Sequence, residues 1–479
     1  MFDSRNPSLN PKTSIPNPSP KAETQSRRVY VETLGCAKNR VDSEILLGAL
    51  PGYGYRWTTD PAQAEVIVVN TCAFITAATT ESINRILDLG DYKTSGVCQK
   101  LVCAGCMSER YKESLLEEIP ELDGVFGSSD FQLLPALLDE LYAESPAPRR
   151  VARISNRPHY DHLESADRVQ TTPRPYAYLK VAEGCSNMCS FCNIPFLRGM
   201  FSSRPVESIV AEMRKMVDGG VREINLVAQD ISSYGVDFKN GTDLETLLKA
   251  INRLPEPPAA ERFWVRLFYA YPNTFSDGMV RALADSPHVV PYLDMPFQHI
   301  SDKVLKAMNR RITEKQIREK LETLKKHIPA LALRTTFITG FPNESQEDFA
   351  RLLSFVEEGW FDHVGVFPYS HEDNIVSARL GDPVPAKTKG SRRDQLMAAQ
   401  QNISAGKNRE RVGQTLEVLV EGLSPETDLL LQGRAAFQGP EVDGVVYINE
   451  GQARAGEFHR VTITEAHPYD LIGAIADQK

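Results

Sequence analysis

Apolar and polar positions along the chain fall into three successive patterns. From about Arg27 to Leu141, short apolar runs alternate with amphipathic stretches. Arg28-Val-Tyr-Val-Glu-Thr33, Glu65-Val-Ile-Val-Val-Asn70 and Lys100-Leu-Val-Cys-Ala-Gly105 read as strands, while Asp42 to Leu50 and Thr76 to Leu89 carry helical spacing. Near-continuous apolar strand runs separated by helices predict a small parallel α/β domain, because crossover helices cover both faces of such a sheet.

From about Ala177 to Asn402 the same alternation is longer. Strand-like runs occur at Ala177–Ala182, Glu223–Val227, Trp264–Tyr269, Val289–Met295, Leu333–Thr339 and His363–Pro368, with helices between them. One helix begins at Pro205, puts Val206, Ile209, Val210, Met213 and Val217 on one face, and stops at Gly219-Gly220. Another carries Phe349, Leu352, Leu353 and Val356. Six βα units predict an open (β/α)6 barrel with its chemistry at the strand C-termini. The third pattern, from Gly413 to Ile475, has alternating runs at Leu416–Val420, Leu429–Gln432, Val445–Ile448 and His459–Ile463 with glycine breaks, which predicts a small β-barrel.

These patterns divide the chain at 1–26, 27–145, 146–170, 171–405 and 410–476. The first stretch, rich in Pro, Ser and Asn, reads as a disordered leader without the apolar core of a secretory signal. Residues 146–170 read as a linker. No apolar run approaches the roughly 20 residues that span a bilayer, so no membrane partner and a cytoplasmic location are expected. The net charge of -9 argues against strong nucleic-acid binding by bulk electrostatics. Residues 413–470 hold ten Asp/Glu and three Arg with no Lys, an acidic surface suited to a basic partner.

In that setting eight cysteines point to ligands or free thiols rather than disulfides. Cys185-x3-Cys189-x2-Cys192 follows the first barrel strand, where one loop can wrap three thiolates around an iron–sulfur cluster and leave one iron open. Structural zinc would want a fourth ligand, and the next histidine is His299. Cys36, Cys72 and Cys106 each lie just after a strand of the first domain, on the edge where a parallel sheet binds ligands. They suggest a second open cluster, which spacing alone leaves undecided. Cys98 and Cys103 read as small buried apolar residues.

Cys185-x3-Cys189-x-Phe191-Cys192 resembles the radical S-adenosylmethionine superfamily. Thr33-Leu-Gly-Cys-Ala-Lys-Asn-Arg-Val-Asp-Ser43, Asn70-Thr-Cys-Ala-Phe74 and Cys103-Ala-Gly-Cys106 are similar to the N-terminal domain of its methylthiotransferase family. So are Arg198-Gly-Met-Phe-Ser-Ser-Arg-Pro205, Ala228-Gln-Asp-Ile-Ser-Ser-Tyr-Gly235, Tyr292-Leu-Asp-Met-Pro-Phe-Gln-His299 and Phe337-Ile-Thr-Gly-Phe-Pro342. The Cys-Ala-Lys-Asn form resembles the branch that methylthiolates an aspartate of small-subunit ribosomal protein S-twelve; the transfer-RNA branch typically has Cys-Gln-Met-Asn there.

The resemblance implies a central radical SAM barrel, a C-terminal TRAM barrel, S-adenosylmethionine and two 4Fe-4S clusters. One cluster would be held by Cys36, Cys72 and Cys106, the other by Cys185, Cys189 and Cys192. It implies a one-electron donor protein and a sulfur source as partners, and a cofactor pocket including Phe191, Gln229, Asp230, Arg266, Gln298 and Gly340. No side-chain acid or base is expected to act, because an unactivated β-carbon does not give up a proton near neutral pH. His299 falls on the same rim, and Arg198 and Arg204 are either salt-bridged surface residues or pocket wall. The competing expectations are a transfer-RNA adenosine methylthiotransferase and a non-catalytic iron–sulfur scaffold.

Overall fold

The computed structural model describes residues 26–145, 149–155, 168–254 and 262–476; the leader and most of the expected linker lie outside them. The first domain is a parallel sheet in the order β2-β1-β3-β4-β5-β6. Its strands are β1 (Arg28–Thr33), β2 (Arg56–Trp57), β3 (Val66–Thr71), β4 (Lys100–Gly105), β5 (Gly124–Phe126) and β6 (Val151–Arg153). The long apolar runs mark β1, β3 and β4, whereas β2, β5 and β6 have two or three residues each, too few to show a period. β6 lies inside the stretch expected to be linker and pairs in parallel with β5. The order reverses between β1 and β3, so the crevice beyond their C-terminal ends is the topological switch point where open α/β sheets bind ligands.

The second domain has an all-parallel sheet in the order β14-β13-β12-β11-β10-β7. These strands are β7 (Tyr176–Lys180), β10 (Glu223–Val227), β11 (Trp264–Leu267), β12 (Val289–Asp294), β13 (Ala332–Thr339) and β14 (His363–Pro368); β8 (Ala182–Glu183) and β9 (Ser202–Ser203) form a separate antiparallel ribbon. All six expected barrel strands are present. The helix Val206–Asp218 starts one residue later than expected, with Pro205 as its N-cap, and Gly219 caps its end.

One face of the barrel packs under its own helices, with Leu179, Ile224, Leu226, Val265 and Phe337 among them. The opposite face is filled by the other two domains. Val41 and Ile45 of α1 (Ala37–Ala49), together with Leu419 of the third domain, pack with Tyr176, Tyr178, Trp264, Tyr292 and Ala332.

That third domain is a closed barrel of β15 (Thr415–Ser424), β16 (Thr427–Ala435), β17 (Val446–Glu450), β18 (Phe458–Ala466) and β19 (Leu471–Ile475). The loop after β16 enters the larger barrel. Asp443 accepts from Tyr292 Oη at 2.7 Å and lies 3.5 Å from Arg334 and 3.4 Å from His363. Glu441 accepts from Tyr178 Oη at 3.0 Å and pairs with Arg40 of α1 at 3.2 Å. The three domains therefore meet at one charged junction.

Candidate active site

The loop carrying Cys185, Cys189 and Cys192 begins directly after β8. Gly184 sits at φ +76°, and a Cβ there would run into the carbonyl of Met200, so the turn requires glycine. The Cys185 amide donates to Gly199 O at 3.1 Å, and Ser190 is tied to Ala307 and Met308 by 2.8 and 3.0 Å bonds. Asn187 spans the loop, with Nδ2 3.6 Å from Cys185 Sγ and 2.7 Å from Asp230 Oδ2. Buried Arg310 reaches Cys189 Sγ at 3.5 Å and stacks 4.1 Å over the Tyr271 ring. Burial pushes the Cys185 thiol up to about 11 and raises Cys192 as well. A metal bound here would have to displace the thiol protons, so loading would be pH-dependent.

The other three thiols come from separate elements. Cys36 is the N-cap of α1, Cys72 follows β3, and Cys106 opens the helix Cys106–Tyr111 after β4. The two sites at the ends of β1 and β3 flank the switch point, and the three thiols perturb one another electrostatically. Gly35 at φ +91° would place a Cβ 2.8 Å from Cys72 Cβ, so the chain passes Cys72 without a side chain. Burial pushes Cys106 up to about 12 and raises Cys72. Cys36 is the exposed member of the triad; crowding by protein acts upward on its thiol, but the Lys38 and Arg198 cations and the Asn39 and Lys38 amides outweigh that and hold it below its ordinary value.

Both triads fit an iron–sulfur cluster by donor chemistry: three free thiols each. Among the described residues no three or more His, Cys, Asp or Glu side chains gather tightly enough for a single metal ion. A four-iron cube is wider than one ion and spreads its thiolates accordingly. Cys98 and Cys103 are buried among apolar side chains of the first sheet, and burial pushes both up to about 11.

A buried charged bridge joins the triads. Arg198 donates to Cys106 Sγ at 3.3 Å, to Asn39 at 2.5 Å and to Asp42 at 2.8 Å. Lys180 pairs with Asp42 and, at 2.5 Å, with Glu183, which also receives Gln229. Glu183 directly precedes Gly184-Cys185, so the chain of contacts runs from one triad to the other. Burial opposes ionisation of Glu183, but Lys180 and Arg198 prevail and hold its carboxyl at about 2. Arg198 is therefore neither a surface residue nor simple pocket wall. Arg204 is also buried, bound to Lys180 O and Glu212 beneath the sheet.

The remaining expected pocket residues divide. Phe191 is partly buried against Val304, Met308, Phe341, Tyr369 and Ile375 beside its cysteines. Gln229 and Gln298 each keep a buried side-chain oxygen without a partner at the strand ends. Gln298 sits at φ +74° and is bonded through its backbone to β13. Asp230 accepts from Asn187, Ser232 and Ser233, so it orients the cysteine loop.

Two of the expected residues are placed away from an open rim. Arg266 does not reach the rim: its register partner is Asn225 in the middle of β10, and its guanidinium binds Glu223 at 2.7 Å and Ala436 O at 2.7 Å. The third domain fills the barrel at that level. Gly340, at φ +71°, faces the helix Ala386–Arg409, where a Cβ would run into Lys389. His299 is fully buried behind the rim; its Nδ1 accepts from the Ser301 amide at 3.0 Å.

Asn187, Lys180, Asp42, Glu183 and Arg310 escaped the sequence reading. Asn187, Asp42 and Glu183 stand inside or beside the cysteine motifs, but Lys180 and Arg310 gain meaning only from the fold.

Three family models match successive parts of the chain: the Uncharacterized protein family UPF0004 at residues 28–127, the Radical SAM superfamily at 179–356 and the TRAM domain at 412–476. The fold is also similar to the radical S-adenosylmethionine methyltransferase TsrM from Kitasatospora setae. That likeness has a TM-score of 0.56 and 13% identity, and covers 74% of each chain. Fold and cysteine loop together define a radical S-adenosylmethionine enzyme with an added α/β domain and TRAM barrel. The chain is 46% identical over 448 residues to the ribosomal protein uS12 methylthiotransferase RimO of Geobacter sulfurreducens, covering 94% of this chain and 98% of that one. It is 44% identical over 458 residues to the RimO of Bdellovibrio bacteriovorus, covering 95% and 99%. It belongs to the RimO methylthiotransferase family.

Proposed function

We propose that this protein inserts a methylthio group at the β-carbon of an aspartate in ribosomal protein uS12, using one cluster at each thiol triad. The observation that carries this reading is the buried Glu183–Lys180–Asp42–Arg198–Cys106 bridge, which ties two separate three-thiol sites into one unit. When bound, a cluster with S-adenosylmethionine supplies a hydrogen-abstracting radical, and a second open cluster supplies a place for sulfur.

The protein's own residues bind and position. Cys185, Cys189 and Cys192 hold the first cluster, and Cys36, Cys72 and Cys106 the second. Asn187 and Arg310 orient the first set; Arg198 neutralises the second. Phe191, Gln229, Asp230 and Gln298 line or support the cofactor pocket. A one-electron donor protein and a sulfur source complete the reaction, in the cytoplasm; among the described residues no helix is long and apolar enough to cross a membrane. The working units are 27–145 for the second cluster, 171–405 for the radical chemistry and 410–476 for substrate docking, with β6 returning to the first sheet from the segment between.

The acidic TRAM barrel supports a basic protein substrate over RNA, since phosphates are repelled by such a surface. Docking should weaken as salt rises, and reversing several exposed acids such as Glu426, Asp428 and Glu450 should weaken it too. The deciding experiment is mass spectrometry of uS12 from cells with and without the gene. A methylthio increment on one aspartate that disappears with the gene is expected; an increment unaffected by its loss contradicts the assignment.

A further inference from the structure

The buried bridge between the triads balances two cations, Lys180 and Arg198, against two carboxylates, and a third buried cation stands beside it. Lys180 is matched by Asp42 and Glu183, and Arg198 by Asp42 while it also faces Cys106. Lys38, two residues past Cys36 on α1, is only 8% exposed. Among the described residues no carboxylate oxygen lies within 4.0 Å of its ammonium, which sits over the ring of Tyr269, 3.5 Å from the centroid. Burying an unmatched cation is costly, so such a group is kept where an anion completes the site. Tyr269 sits just beyond the C-terminal end of β11 at φ +65°, a left-handed conformation uncommon for a non-glycine residue and concentrated at functional sites.

The location specifies the anion. Lys38 stands two residues past Cys36 in the first domain, and its ammonium lies on Tyr269 at the C-terminal end of β11 in the second, so it spans the seam between the two triads. A β-carbon that loses hydrogen to one site and gains sulfur from the other has to lie in this gap. In an aspartate that carbon bears the side-chain carboxylate. We infer that Lys38, stacked on Tyr269, binds the carboxylate of the target aspartate and makes the site selective for an acidic side chain. This rests on the uS12 reading above.

The test uses the iron-loaded full chain and a labelled synthetic peptide of the uS12 segment bearing the target aspartate, beside its Asp→Asn counterpart. Binding is read by fluorescence anisotropy and transfer by mass spectrometry. A charge-assisted contact predicts that the wild type binds the Asp peptide roughly tenfold or more tightly than the Asn peptide. Lys38→Met should bring that ratio close to one, and Lys38→Arg should keep most of it. An unchanged ratio in Lys38→Met overturns the assignment. If Lys38→Met fails to load iron, the wild type and Lys38→Arg decide: a ratio near one in either, with transfer intact, overturns it. If the wild type neither binds nor modifies either peptide, the uS12 reading fails, and the assignment with it.

Discussion

The two thiol triads are assembled in opposite ways. Cys185, Cys189 and Cys192 lie within eight residues on one loop, shaped by Gly184 and pinned to the helix Asp302–Ala307. Cys36, Cys72 and Cys106 are spread over 71 residues and meet only because β1, β3 and β4 end on one edge of a parallel sheet. Each triad is also met by a buried arginine from outside its own loop: Arg310 at Cys189, Arg198 at Cys106. The triad proposed for the radical chemistry is built locally and depends on the turn at Gly184 being held. The triad proposed for sulfur is built by topology and depends on the domain interface.

That contrast can be broken most forcefully by deleting one triad. Replacing Cys185, Cys189 and Cys192 by Ala should take S-adenosylmethionine cleavage to background, read as 5′-deoxyadenosine, while the first domain keeps its iron. Next in size is Arg198→Met, which leaves Asp42 facing only Lys180 in a buried site. The expected loss is about 3–5 kcal/mol in denaturant unfolding, with iron lost from the sulfur site. Cofactor cleavage by the folded fraction should survive; if it falls in step with iron, the two sites are not separable.

Arg310→Met probes the opposite site. An outer-shell partner of a ligand is typically worth about 10–100-fold in affinity or activity, so cleavage should fall by that order with sulfur-site iron unchanged. Asn187→Ala should be milder, because Asp230 keeps its bonds to Ser232 and Ser233 and the loop stays anchored through Ser190. A fall of about tenfold or less in cleavage is expected. A larger loss for Asn187→Ala than for Arg310→Met would reverse the ranking of the two supports.

The difference between the triads also explains what the sequence reveals. Local spacing is visible in a linear chain, so the Cys185 loop is legible directly. The distributed triad is legible only through strand ends, and β2, β5 and β6 are too short to display a period, so the sheet is half hidden. All six strands of the larger barrel are long enough to show. Arg266 misleads because a polar residue on a barrel strand resembles a pocket residue until the third domain is seen to occupy that level. Gly340 misleads because its close neighbour, Lys389, arrives from 49 residues further along the chain. Interdomain packing, which carries Arg198 and Lys180 to their partners, leaves no period to read.

Two clusters in two triads with separate tasks is the proposed arrangement. Its most direct measurement is iron per chain in the wild type and in the Cys36/Cys72/Cys106→Ala variant, each assayed for 5′-deoxyadenosine release. With a four-iron cluster at each triad, the count should be about eight in the wild type and about four in the variant, with release retained and methylthio transfer lost. A wild type with about four irons, or a variant that loses all iron and all cleavage together, would contradict it.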